Sequence, residues 1–364
     1  MAIGDRWQTE WSGYSDPTTG FTVRQMTSSD DAENIHFYFH DPCWTSDGRW
    51  LVFQSNRTGQ TELFALDNGD GGITQISEGL GRPGGRPGMV SALRPECIYN
   101  TKNEIRAVNI ETLDDRLISP LPEGLRIGQA PHENADGRYI VFGGKVDGIH
   151  RIYRLDVSTG DITVLLEVDG NPTHLHCSPA DPDIMMLCDS TVPDSKPKQR
   201  VWFMTMDGSE RWHPYTQTPQ EWLTHESWMG DTGKALICYW PGGIMEVNQD
   251  GTGARMIAKI NAWHAGASPD GAYIVVDTNW IERGLHLIER ESGRMCKLCA
   301  LGVDVPGDTL TTMQHPHPSF SPDGKTVLFG SERTGNPEIY CVDVAPALED
   351  DKRWFLPEYE WHPW

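Results

Sequence analysis

Histidine is the residue in this chain best suited to chemistry near neutral pH. Its imidazole titrates near ~6.5, so it can take a proton, return one, or offer a nitrogen to a metal. Seven of the thirteen histidines fall in five short runs: His132, His174-Leu-His176, Thr224-His225-Glu226, Trp263-His264-Ala265, and His315-Pro-His317-Pro-Ser-Phe320. On an extended strand, residues i and i+2 share a face. His315 and His317 can then turn towards one cation, and His264 can supply a third nitrogen. Three imidazoles with open positions suit a divalent metal that also holds water or substrate. The same residues also read as a polar channel lining that satisfies its own hydrogen bonds. His225 is the candidate general base. Arg200, just before Val201-Trp-Phe203, is suited to gripping a carboxylate through paired hydrogen bonds, or is a solvated charge at a strand end. His174, His176 and His132 are candidates for contact with substrate.

What must position these side chains is a repeat. Trp44-Thr-Ser-Asp-Gly-Arg-Trp-Leu-Val-Phe53 recurs as Asn134-Ala-Asp-Gly-Arg-Tyr-Ile-Val-Phe142, Ser268-Pro-Asp-Gly-Ala-Tyr-Ile-Val-Val276 and Ser321-Pro-Asp-Gly-Lys-Thr-Val-Leu-Phe329. Weaker copies begin at Ser178, Gly230 and Ala92. The turns fall near 47, 96, 136, 181, 231, 270 and 323, spaced by 39 to 53 residues. That is the period of a four-stranded propeller blade. Each Asp-Gly supplies the positive φ of a tight turn, and an apolar, β-branched or aromatic strand follows. Second strands are predicted at Glu62–Asp67, Arg151–Asp156, Val201–Met206 and Glu338–Asp343, and a fourth at Ile162–Glu167. The expected fold is all-β: one seven-bladed propeller domain over 1–364, with blades over roughly 41–344. Residues 21–26 would add the strand that closes the last blade, and 354–364 would pack on the ring's edge. The innermost strand of each blade precedes its Asp-Gly turn, and the histidine runs lie in those strands.

Composition narrows the function. With 30 Lys+Arg against 52 Asp+Glu, the net charge is −22, which argues against nucleic-acid or acidic-membrane binding but not against a local basic pocket for an anion. A hydrophobic fraction of 38% suffices for a large core, and no apolar run is long enough to span a membrane. The first residues lack an apolar leader, so a cytoplasmic location is expected. Eight irregularly spaced cysteines then read as reduced, buried thiols, and Cys296-Lys-Leu-Cys299 as part of an ordinary strand.

His-Pro-His-Pro-Ser-Phe at 315–320, Thr-His-Glu-x-Trp at 224–228, Arg200-Val-Trp leading to Asp207-Gly208, and Cys43-Trp-Thr-Ser-Asp-Gly48 together resemble the oligogalacturonate lyase family. The resemblance implies a polysaccharide lyase of pectin degradation, with a divalent metal, typically manganese, on the propeller. It places the base at His225, the essential arginine at Arg200, and the metal histidines at His264, His315 and His317. The family's glutamine, three residues before the first of the paired histidines, falls on Thr312. A glutamine stands instead at Gln314, which strand alternation turns away from His315 unless a bulge re-aims it. The implied reaction is β-elimination on a short oligouronate, giving a 4,5-unsaturated product. The alternatives are a TolB-like binding propeller without catalysis, or a lyase for a different uronate. No G-x-S-x-G elbow supports a hydrolase.

Overall fold

The computed structural model describes residues 2–80, 87–170, 172–189, 199–278, 283–301 and 315–357. Their strands form seven antiparallel sheets of four or five strands, the blades of a β-propeller. The strands read from sequence fall in place: Glu62–Asp67 and Glu338–Asp343 to the residue, and Ile149–Asp156, Ile162–Val168 and Val201–Thr205 within a few positions. The N-terminal segment joins two blades. Arg6–Trp7 pairs with Ile73–Gln75 in blade one. Thr22–Gln25 pairs with Glu338–Asp343 in blade seven, with Val23 opposite Val342, and Ser12–Ser15 adds an outer strand beyond it.

Side-chain hydrogen bonds build the repeated turns. In blade seven, Ser321 donates from Oγ to Asp323 at 2.7 Å, and the Lys325 N–H donates to the same carboxylate oxygen at 3.1 Å. Gly324 adopts φ +70°, a conformation that costs a residue with a Cβ about 1 kcal/mol or more. Thr45-Asp47-Gly48 and Ser268-Asp270-Gly271 repeat the arrangement. Three copies depart from it, the first in blade four, where the Ser178 hydroxyl instead accepts from the main-chain N–H groups of Ala180 and Asp181. Gly230–Thr232 forms a turn of 3-10 helix, because Gly230 approaches the Ser268 carbonyl so closely that an added Cβ would sit 2.2 Å from it. In blade two, the strand Glu96–Asn100 begins at the position read as the turn, which lies just before it.

The middle strands are buried on both faces, since each blade packs between two others. Trp50–Ser55, Tyr273–Thr278 and Thr326–Ser331 each bury five of six residues. Leu51, Phe53 and Phe64 belong to a core that also takes in Leu328 and Ile339 of blade seven. This explains why the strands read as apolar runs rather than strict alternations. All eight cysteines are buried and unbridged, and Cys296 and Cys299 lie on the strand Met295–Cys299. At the edge, Phe355 and Met295 exchange main-chain hydrogen bonds, while 358–364 lie outside the described residues. No helix among the described residues is long and apolar enough to cross a membrane.

Burial gives one core histidine a measurable effect. His286, 1% exposed, is pushed down to about 3 by burial, reinforced by Lys297. The unfolded chain then takes up this proton first, so stability falls as pH drops below ~6.5 and continues to fall towards about 3. The loss from this residue should be about 2 kcal/mol by pH 5. Urea unfolding of wild type and His286→Leu at pH 7 and pH 5 checks it: the variant should lose that much less between the two.

Candidate active site

The inner strands carrying the histidines are not regular. In blade four, Thr173 pairs with Cys188 and His176 with Met186, so His174 and Leu175 together oppose one residue. In blade five, His225 and Glu226 oppose one residue in the same way, and in blade six Trp263 and His264 oppose Asp277. These are β-bulges at equivalent places, and a bulge re-aims the side chain it displaces. His174 and His225 take left-handed φ values of +50° and +47°. His317 of blade seven has φ +46°. Such backbone costs a non-glycine residue on the order of 1–3 kcal/mol and concentrates where function holds it.

His315 and His317 correct a detail of the sequence reading. They precede the two-residue strand Ser319–Phe320 rather than lying on it, so strand alternation does not align them. Instead the Pro316 carbonyl accepts from the Gly330 N–H at 2.9 Å and lies 3.1 Å from His36 Nε2, which pins the segment. The His315 and His317 rings then lie 5.8 Å apart, at 28°.

The predicted residues separate into two groups. His264 lies 4.4 Å from His317, 5.3 Å from His315 and 4.3 Å from His225, measured between ring centres. His225 in turn lies 5.5 Å from His174. Arg200 is drawn inward, its side chain 15% exposed, and its Nε donates to Glu226 at 2.6 Å. His176 and His132 form the second group, which adjoins the first through His40, 5.4 Å from His174 between ring centres. His176 stacks on His40 at 4.3 Å, and His132 Nε2 is 3.9 Å from Asp41. With His40 and Asp41 they line a cavity of about 260 Å³ whose wall includes none of His225, His264, His315 or His317. Thr312 and Gln314 lie outside the described residues.

Sequence reasoning missed the residues that hold this set. Asp277, opposite the blade-six bulge, accepts from the His264 main-chain N–H at 2.6 Å and stands 2.8 Å from its Nδ1. Burial raises Asp277 to about 7 and holds His264 well below the usual imidazole range. One proton then bridges Nδ1 and the carboxylate, and Nε2 keeps its lone pair. Glu226 is fully buried between Arg200 and His174, whose Nδ1 is 2.9 Å away. Burial pulls its pKa up, but Arg200 and His174 bring it well below the carboxylate range. Burial, then His264 and His174, push His225 far down, so its ring is neutral. Tyr38 packs against His317 at 4.6 Å and stands near His174 and His264. Glu226 was visible in Thr-His-Glu, and His36-Phe-Tyr-Phe-His40 holds the blade-one place that the paired histidines hold in blade seven. Nothing in the sequence marks Asp277.

The donor set fits a divalent transition metal. Neutral imidazole is the ligating form, and burial also holds His317 well below its usual range. A carboxylate on Nδ1 is the usual support of a metal-bound histidine. Donor atoms of His264, His315 and the supporting Asp277 lie within 4.8 Å of one another, and His317 adjoins this group through its ring contact with His264 at 4.4 Å.

A seven-bladed propeller with an axial site of imidazoles beside a buried arginine is thus the class of protein that fold and site define. No protein-family model matches the chain. It is 24% identical over 397 residues to an oligogalacturonate lyase of Dickeya dadantii and 25% identical over 404 residues to an oligogalacturonide lyase of Pectobacterium atrosepticum. Both alignments span 96% of this chain and the whole of the relative. Among solved structures, an oligogalacturonate lyase in complex with manganese superposes with a TM-score of 0.85 at 23% identity, over 96% of this chain and all of the other. An oligogalacturonate lyase from Vibrio parahaemolyticus gives 0.82 at 23%, over 95% of this chain and all of the other. The resemblance read from a few motifs therefore extends over the whole chain, in sequence and in fold.

The site predicts its own metal behaviour. His317→Ala should fail to retain, on dialysis, a divalent metal loaded at this site. Asp277→Asn should keep the site but weaken it by about 10–100-fold. Metal analysis with a titration of the stripped protein checks both, and full metal content in His317→Ala would show the ligands to lie elsewhere.

Proposed function

We propose that this protein is a metal-dependent oligogalacturonate lyase, cleaving short oligogalacturonides by β-elimination to 4,5-unsaturated products. The observation that carries the reading is the convergence of His264, His315 and His317 with His225 and Arg200, on a chain that resembles such lyases throughout. The site would hold the metal through His264, His315 and His317, with Asp277 behind His264. A bound divalent cation, manganese in the solved relative, supplies a Lewis acid that neutralises the uronate carboxylate and makes the adjacent C5 proton acidic.

The chain's own residues do the rest. His225 is the base. Its Nδ1 is 3.1 Å from the Thr224 hydroxyl, which orients the ring and leaves Nε2 for the C5 proton. General-base catalysis of this kind contributes about 10²–10⁴ in rate. Burial keeps the imidazole neutral, the form able to accept a proton. Arg200, fixed by Glu226, places a permanent positive charge beside the site for the substrate's anionic group. Trp263, 4.5 Å from His225, and Trp222, half exposed and 6.3 Å from Trp263, offer apolar faces for sugar rings.

The test is absorbance at the unsaturated-uronate band with short oligogalacturonides. New reducing ends without that absorbance would indicate hydrolysis and overturn the reading. His225→Ala should keep metal and fold but lose turnover by at least about 10²-fold. Arg200→Lys should also be impaired, because an ammonium cannot reproduce the paired contacts of a guanidinium. Metal content and turnover measured on the same His225→Ala sample decide the assignment: lost metal would make His225 a ligand, and retained turnover would move the base elsewhere.

A further inference from the structure

Elimination breaks two bonds, and the residues assigned above serve one of them. The C5–H proton goes to His225, and the C–H electron pair forms the C4=C5 bond. The departing C4 oxygen then needs a proton. In a galacturonide, the axial C5 hydrogen and the axial C4 oxygen lie on opposite faces of the ring. The base therefore cannot also be the donor, and a second group must reach the pocket.

Tyr38 is that group by position. It follows the short inner strand Asn34–His36 of blade one and enters the channel half-buried. Its ring lies 4.6 Å from His317, 5.6 Å from His174 and 5.8 Å from His264. His174 and His264 are also the neighbours of His225, while, among the described residues, Tyr38 and His225 make no ring contact with each other, which leaves room for a sugar ring between base and hydroxyl. The hydroxyl is held in place: Tyr38 Oη is 3.3 Å from His174 Nε2, and His174 Nδ1 is 2.9 Å from Glu226. With its Nδ1 proton directed to the carboxylate, His174 presents Nε2 as acceptor to the hydroxyl. The left-handed backbone at His174 keeps the ring there. Arg200, bound to the same Glu226, interacts electrostatically with Tyr38. A positive charge within electrostatic range of a phenol favours the phenolate left when its proton departs.

We propose that Tyr38 is the catalytic acid that protonates the leaving C4 oxygen, with His174 and Glu226 as its positioning residues; the proposal rests on the lyase reading above. With substrate bound, the Tyr38 O–H turns from His174 Nε2 to the C4 oxygen, and as the C4–O bond breaks its proton passes to that oxygen and gives the free hydroxyl of the released saccharide. The phenolate remains beside Arg200. His225 has gained one proton and Tyr38 has lost one, and exchange with solvent restores both.

Tyr38→Phe removes only the hydroxyl and keeps the ring packing. Against oligogalacturonides, its turnover should fall by about 10² or more, with metal content unchanged. Against a galacturonate carrying a 4-nitrophenoxy group at C4, which departs without a proton, variant and wild type should agree within about threefold. In D2O, the variant should exchange C5–H of recovered oligogalacturonide faster than it eliminates. Equal losses on both leaving groups would overturn the proposal and give Tyr38 a binding role, as would unchanged turnover on the natural substrate. Wild-type protein that forms no unsaturated product from either substrate would instead refute the lyase reading, so the two failures are distinct.

Discussion

An inner propeller strand does not readily aim a side chain along the channel. Its residues alternate between two faces, and both faces pack against neighbouring blades. The bulges of blades four, five and six resolve this conflict. Each inserts an extra residue, and at His174 and His225 the backbone turns left-handed, so that a side chain leaves the packed face and enters the axial space. The main-chain groups freed by the bulge need partners. At blade six, Asp277 accepts the His264 N–H and supports the same residue's ring. One carboxylate thus stabilises the bulge and sets the histidine tautomer.

Electrostatics in the site follow from how few groups carry charge. Several imidazoles within about 4–6 Å of one another could not all be protonated in a buried space. Burial and mutual repulsion keep His225, His264 and His317 neutral, the form needed for a base and for ligands. Arg200 is the exception, since a guanidinium stays charged at any working pH. Its cost of burial is met by Glu226, which spans blades four and five and binds His174 as well. Arg200 and Glu226 thus offset one another, and with the imidazoles neutral the buried site carries little net charge of its own.

Legibility from sequence followed the range of the interactions involved. The blades were legible because an Asp-Gly turn capped by Ser, Thr or Asn and the apolar strand after it are local, and four clear copies with three weaker ones recur every 39 to 53 residues. His264, His315, His317 and His225 were legible as a set because equivalent positions in a repeat share a place in the ring, whereas His174 was read with His176 and His132 as a contact for substrate. His132 and His176 obey the same positional rule, yet gather around His40 and Asp41, on the far side of His40 from the His225 group. The difference of two residues between His174 and His176 spans the bulge, and period-two reasoning has no term for an inserted residue.

The sequence by itself determined the repeat, the number of blades, the middle strands and the identity of most side chains that can act. These depend on hydrogen bonds and hydrophobic patterns within some fifty residues of chain. Only the tertiary structure decided how those side chains meet. Arg200 becomes part of the site because Glu226, from the next blade, is buried against it. His264 acquires its orientation from a partner 13 residues away across a bulge, and Tyr38 meets His174 from 136 residues away. Such contacts form only when the ring closes and brings seven inner strands around one axis, so no window of the chain contains them.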